Sequence, residues 1–225
     1  ARARIATVNP AEYSRSRNAL NGAVTQLSPY ITHGFISLPE VLEGVRLHHS
    51  VRTQDKFVFE LGWREYFRHV WQHRGNGIFK SLHEGVLSDE AYADKIPFDI
   101  LHASTGVAAI DMAVKTLYAT GYLHNHARMW LASYMVHWRG VDWRTGASWM
   151  QRLLLDGDQA SNNLSWQWVA STFGSKPYFF NKENLSKYSA NQFCQNCHAA
   201  CPFDDSYEAL SDRLFEPSSA PVKIY

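Results

Sequence analysis

Leu155-Asp156-Gly157-Asp158-Gln159-Ala160-Ser161-Asn162-Asn163-Leu164-Ser165-Trp166-Gln167-Trp168 sets two acids around a glycine, two amides a turn later, and two tryptophans after those. On a helix starting near Asp158, residues Asp158, Asn162 and Trp166 recur at i, i+4 and i+8 and share one face. An ordinary core would have to find partners for the acid and the amide. A carboxylate, an amide and an indole aimed at one spot suit a polar aromatic ring with titratable nitrogens, such as a flavin.

Outward from this stretch the pattern is helical almost throughout, which predicts an all-α helical bundle. Ser37-Leu38-Pro39-Glu40 has capping-box spacing and opens a helix to about His49. Lys56 to His73 reads as a long amphipathic helix, with Phe59, Trp63, Phe67, Val70 and Trp71 at helical intervals. Residues 75–99 read as a connection with weak helical pieces. Further helices follow between Gly106 and Gly121, over Leu123–Trp138, Thr145–Leu155 and Asp158–Thr172. The division expected is a helical domain over 1–188 and an extension over 189–225 that holds the cysteines and a short helix near Ser206–Phe215.

Composition bounds the partners. The 225 residues carry a net charge of +1, so any nucleic-acid surface must be a local patch. Arg2, Arg4, Arg15 and Arg17 against Glu12 form one such bias, or simply a solvated arm. Eight Trp, eleven Tyr and twelve Phe serve cores as readily as ligands. No apolar run is long enough to span a bilayer, and no secretory signal opens the chain. The start at Ala1 rather than Met suggests a processed chain or a piece of a longer one. Three cysteines make no disulfide framework, and a reducing cytoplasm is expected.

Three further constellations carry chemistry. In Thr25-Gln26-Leu27-Ser28-Pro29-Tyr30, Ser28 suits an N-cap and Pro29 the first helical position, which offers free N–H groups and hydroxyls to a phosphate. Most such helix starts bind nothing. In Glu60-Leu-Gly-Trp63-Arg64-Glu65, an acid, an indole and a guanidinium on one face suit a planar base. A surface Glu60–Arg64 pair beside a core Trp fits equally. In His124-Asn125-His126-Ala127-Arg128-Met129, Arg128 could keep Asp156 or Asp158 charged in a structural ion pair, or face a negatively charged flavin.

Together these segments resemble the photolyase/cryptochrome superfamily, in its helical FAD-binding domain. The blocks fall in family order over about residues 10 to 180: Tyr13 with Arg17, Thr25–Tyr30, Glu60–Glu65, Thr105-Gly106 with Asp111, His124–Met129, Asp142-Trp143-Arg144, and Asp156 through Trp168. The resemblance implies a U-folded FAD in the bundle and a pocket that admits a flipped-out pyrimidine dimer of DNA. It implies that Tyr13, Thr25, Gln26, Leu27 and Ser28 line the phosphates and neighbouring groups. Arg64, Arg128, Asp156, Gly157, Asp158 and Asn162 would surround the rest. Arg17, Glu60, Trp63, Asn125, Met129 and Trp168 would face DNA or the lesion. The activity implied is light-driven electron transfer from reduced flavin to the dimer, with Glu60 stabilising the dimer radical. Asn162, where plant-type sensors place Asp, and Asn125 with Met129, where six–four enzymes place histidines, point to the cyclobutane-dimer type.

The chain also departs from the family. Trp166 and Trp143 match the two inner members of its electron relay. The outer position falls near Glu90, with Tyr92 or Trp138 as substitutes. Gln26 replaces the usual Arg of the phosphate loop. The family's α/β antenna domain is not among these residues, so light capture would rest on the flavin or on a separate domain. Cys194-x-x-Cys197-His198-x-x-Cys201 is spaced for zinc or for an iron–sulfur cluster with an outside ligand, although plain reduced cysteines rank first. The reading is therefore a repair lyase, monomeric and acting on dimer-containing DNA. A cryptochrome-type blue-light photoreceptor is the alternative, and a flavin-free DNA-binding remnant ranks last.

Overall fold

The computed structural model describes residues 1–195 and 200–215. Twelve α-helices make up the fold of these residues: α1 Arg2–Ala6, α2 Pro10–Ser16, α3 Ser28–Thr32, α4 Leu38–Arg46, α5 Lys56–Arg74, α6 Phe98–Leu101, α7 Ala108–Thr120, α8 Asn125–Ser133, α9 Trp143–Leu153, α10 Gln159–Ala170, α11 Lys182–Tyr188 and α12 Tyr207–Phe215. Among the described residues there is no sheet, only an isolated bridge between Ala93 and Val141. No described helix is long and apolar enough to cross a membrane.

Local chemistry sets the helix ends. The Ser37 hydroxyl accepts from the Glu40 N–H at 3.3 Å, and the Glu40 carboxylate accepts from the Ser37 N–H at 2.7 Å. This reciprocal cap fixes the start of α4. Gly121 ends α7 at φ +64°, a conformation open to glycine, and a Cβ there would lie 2.7 Å from Leu155. The helix expected over Leu123–Trp138 is two pieces. The α8 helix yields to a π-turn at Tyr134–Trp138, which swings Arg139 onto Asp99 with bonds of 2.8 and 3.0 Å.

Two separate apolar cores result. The larger lies among α7, α8, α9 and α10, around Ile110, Leu117, Leu131, Met135 and Met150. The smaller joins α1, α3, α4 and the start of α5 through Ile5, Val8, Leu27, Ile36, Val41, Val45 and Phe57. Gln167 fastens the 75–99 connection to the larger core. Its buried amide donates to the Ile78 carbonyl at 2.8 Å and accepts from the Leu82 N–H at 3.1 Å. The extension is fastened too. Phe203 is wholly buried against Trp138 and Phe180, and its carbonyl accepts from the Lys182 N–H at 2.8 Å.

Candidate functional site

Between the two cores runs a polar seam built on the 155–168 stretch. Asp156, buried to 3 % side-chain exposure, is held by both oxygens to Arg128 Nη2 at 2.8 and 2.9 Å. The Ser28 hydroxyl donates to the same carboxylate at 2.5 Å. One turn further on α3, the Thr32 hydroxyl donates to the Asp156 carbonyl at 3.2 Å and accepts from Arg64 Nη2 at 2.9 Å. Arg64 Nη2 also lies 3.5 Å from Asp158. Two guanidiniums thus meet two carboxylates, and the seam is close to neutral. Such a pair withstands burial only when its other lone pairs and protons are bonded, and the hydroxyls of Ser28 and Thr32 supply that.

Asp158 caps α10, its carboxylate accepting from the Ser161 N–H at 2.8 Å. The cap turns Asn162 inward. Its amide donates to the Ala147 carbonyl at 2.9 Å, while no donor of the described residues reaches its oxygen. A buried amide with an open acceptor is the element here most suited to a ligand N–H. Trp166 follows one turn later and lies on α9 where Gly146 leaves it space: a Cβ there would sit 2.4 Å from the indole ring. Gly146 is itself one turn beyond Trp143, whose indole donates to Ser81 at 3.1 Å. Changing Gly146 to Ala should cost about 1–3 kcal/mol, despite alanine's better helix propensity of about 1 kcal/mol, because a ring packed on all sides cannot retreat. A lower thermal midpoint with an altered near-ultraviolet Trp signal is expected, and an unchanged spectrum would contradict this packing.

The other expected residues divide between seam and surface. Tyr13 sits edge-on to Phe57, and burial followed by the charge of Glu60 pushes its hydroxyl up to about 12. Glu60 pairs with Lys56 at 3.0 Å and Arg17 at 3.4 Å. Trp63 is exposed among Phe59, Tyr66 and Phe67. Trp168 is exposed and stacks on Tyr178. Asn125 and Met129 touch across one turn of α8, at 3.4 Å.

Several expectations need correction. Ser28 is the first helical residue, not the cap, and the Leu27 side chain is buried in the smaller core. The five-residue α3 commits the Ser28 hydroxyl to Asp156. Thr25 caps the Leu27 N–H at 3.3 Å, and Gln26, at φ +51°, accepts from Arg4 at 2.7 Å. Gly157 packs closely as well: a Cβ there would lie 2.7–3.1 Å from Gln151 and Leu154 on the end of α9, which leaves its expected place beside the cofactor untouched. Glu60 and Arg64 do not pair with each other; each is held elsewhere. Tyr92 lies in the segment bonded to α9's approach, where the Ala93 N–H donates to Gly140 and the Asp142 N–H to Ala93. Trp138 instead turns to the extension, donating to the Pro202 carbonyl at 3.4 Å. Of the cysteine motif, Cys197 and His198 lie outside the described residues. Cys194 and Cys201 are half-buried and unbridged, and no metal-binding group of three or more His, Cys, Asp or Glu occurs among the described residues. Thr32, His33, which bonds the Leu155 carbonyl at 2.9 Å, and Ser81 went unanticipated. Thr32 was within reach of sequence, being i+4 from Ser28.

The fold is all-helical, and its two cores meet across a nearly neutral, hydroxyl-rich seam. Residues 57–202 match the family model described as the FAD binding domain of DNA photolyase. A cryptochrome DASH of Ostreococcus tauri, labelled chloroplastic/mitochondrial, is 33% identical over 224 residues, or 95% of this chain and 40% of its own length. A deoxyribodipyrimidine photo-lyase of Streptomyces griseus is 34% identical over 170 residues, covering 72% of this chain and 35% of that one. The crystal structure of a Synechocystis sp. PCC6803 cryptochrome superposes with a TM-score of 0.71 at 27% identity, over 83% of this chain and 42% of that one. The chain belongs to the photolyase/cryptochrome superfamily, as its FAD-binding domain. It spans about two fifths of the length of these relatives.

Proposed function

We propose that this chain is the flavin-binding part of a light-driven repair lyase that splits cyclobutane pyrimidine dimers in DNA. The observation that carries the reading is the double duty of α5. Its Arg64 enters the polar seam, while one turn earlier Glu60 stands half-buried between two cations beside the exposed Trp63 indole. A single rigid helix thereby couples a cofactor wall to a surface able to receive a planar base.

The residues present fit FAD: the seam offers the partly exposed guanidiniums of Arg64 and Arg128 as donors and the open amide acceptor of Asn162. Arg64, Arg128, Asp156, Asp158 and Asn162 would hold the ring system and its neighbours, with Tyr13, Thr25 and Ser28 toward the phosphates. Bound there in its reduced form, the flavin would be the light-excited one-electron donor to the dimer. Glu60 binds the dimer's polar edge and is itself positioned by Arg17 and Lys56. Trp63 and Trp168 stack against the extruded bases, and Asn125 and Met129 border them. Trp143 on α9 and Trp166 on α10 would carry electrons inward. The protein acts as a monomer on DNA, in the cytoplasm, where unbridged Cys194 and Cys201 are at home.

The test is illumination of reduced protein with an oligonucleotide carrying one dimer, followed by chromatography of the restored pyrimidines. Glu60→Ala should slow restoration on the order of a hundredfold, the scale of one lost transition-state hydrogen bond, with flavin content unchanged. Absence of restoration by the parent protein after full reduction would shift the assignment to a blue-light photoreceptor of cryptochrome type.

A further inference from the structure

Trp143 is the inner end of a polar chain that leads out of the core. The indole is buried, and its Nε1–H donates to the Ser81 hydroxyl at 3.1 Å. That hydroxyl donates in turn to Asp89 Oδ1 at 3.4 Å. Asp89 is exposed, so two bonds connect a buried ring to water. Arg144 organises the outer end. Its Nη1 lies 2.9 Å from Asp89 Oδ2, its Nε donates to Asp142 Oδ1 at 2.9 Å, and its guanidinium stands 5.8 Å from the Trp143 ring centroid. One guanidinium against two carboxylates leaves a surplus negative charge where a proton would arrive, while a cation over the ring discourages positive charge on the indole. The place expected for an outer tryptophan falls beside this group, at Glu90.

We infer that Ser81 and Asp89 form a proton exit for Trp143 and take the place of a third relay ring. The inference rests on the role proposed above for Trp143 and Trp166 in carrying electrons inward. An indole that has lost an electron is a far stronger acid at nitrogen than the neutral ring. As Trp143 gives up one electron through Trp166, with oxidised flavin as the acceptor of that reading, its Nε1–H bond breaks and the proton bonds to Ser81 Oγ. The Ser81 O–H bond breaks in turn, and its proton bonds to Asp89 Oδ1. What remains is a neutral Trp143 radical, an unchanged Ser81 hydroxyl and a protonated Asp89. One electron from an external thiol, with return of the proton, restores the indole. A third ring would protect the separated charge by distance. Here loss of the proton protects it, because the electron can return only together with a proton.

The experiment is flash spectroscopy of the chain loaded with oxidised flavin, without added reductant, since cationic and neutral indole radicals absorb at different visible wavelengths. In the parent the cationic signal should give way to the neutral one, and more slowly in heavy water. Ser81→Ala and Asp89→Asn should each slow that conversion on the order of a hundredfold, the lower range for a positioned proton acceptor. Ser81→Thr, which keeps the hydroxyl, should restore it. A second readout needs no light: the Trp143 indole N–H resonance should shift in Ser81→Ala and stay in place in Ser81→Thr. Equal conversion in parent and variants would overturn the proton exit and leave the electron relay standing. A tyrosyl radical that Tyr92→Phe abolishes would also overturn the exit, by making a ring the outer donor. No indole radical in the parent would overturn relay and exit together.

Discussion

Asp156→Ala should be the most damaging single substitution in the seam, lowering the unfolding free energy by about 3–5 kcal/mol, the cost of leaving one member of a buried pair without its partner. The carboxylate receives Arg128 through both oxygens and also the Ser28 hydroxyl. Its removal strands a guanidinium that is three-quarters covered and a hydroxyl with no other partner. Arg128 keeps only the Leu123 carbonyl, bonded to its Nε at 2.9 Å. Urea unfolding followed by circular dichroism measures the loss. Arg128→Ala alone should cost a similar amount. The double variant should cost much less than the sum, because neither charge is then left alone. A loss below roughly 1 kcal/mol, the range of solvent-exposed pairs, would show that water already reaches the seam.

Acid should destabilise the fold in a window set by two histidines. Burial pushes His126 and His137 down to about 4, while in the unfolded chain both return to about 6.5. Between these values the unfolded state binds more protons than the folded one, so stability falls as pH drops from about 6.5 and levels off below about 4. Each ring contributes on the order of 3 kcal/mol across that window. His126 lies between Trp130 and Tyr188, at 5.1 and 4.4 Å, and its Nε2 finds no partner. His137 bonds only the Val169 carbonyl, at 2.9 Å. Unfolding free energies from pH 7 to pH 4.5 in the parent and in a His126→Gln, His137→Gln double variant give the comparison. The variant's profile should be the flatter one, and parallel profiles would place the acid sensitivity elsewhere.

Much of this was legible in the sequence because helical periodicity and capping chemistry are local. The reciprocal Ser37–Glu40 cap, the limits of α5 and α7, and Asp158 with Asn162 and Trp166 on one face of α10 all follow from residues within a few positions of one another. The pairing of Arg128 with Asp156 was open between two acids, and packing decided it. What escaped depended on distant partners. Ser28 reads as a cap until Asp156 arrives to take its hydroxyl. The close packing of Gly157 on the end of α9, where a Cβ would lie 2.7 Å from Gln151, leaves no local sequence signal. The alternative of a surface pair between Glu60 and Arg64 falls only once Arg17, Thr32 and Asp158 are seen to hold them. Ser81, in an aperiodic connection, gives no signal at all, yet it anchors Trp143.

The separation of the smaller core from the larger has a consequence for biosynthesis. Seven buried side chains are too few to hold α1 to α4 together unaided, and the bonds that anchor α3 reach across 128 and 124 residues to Asp156. During translation these helices emerge long before the carboxylate they need. They stay solvated and reversible until residue 156 has cleared the ribosome, so their docking is coupled to the synthesis of a segment more than a hundred residues further on.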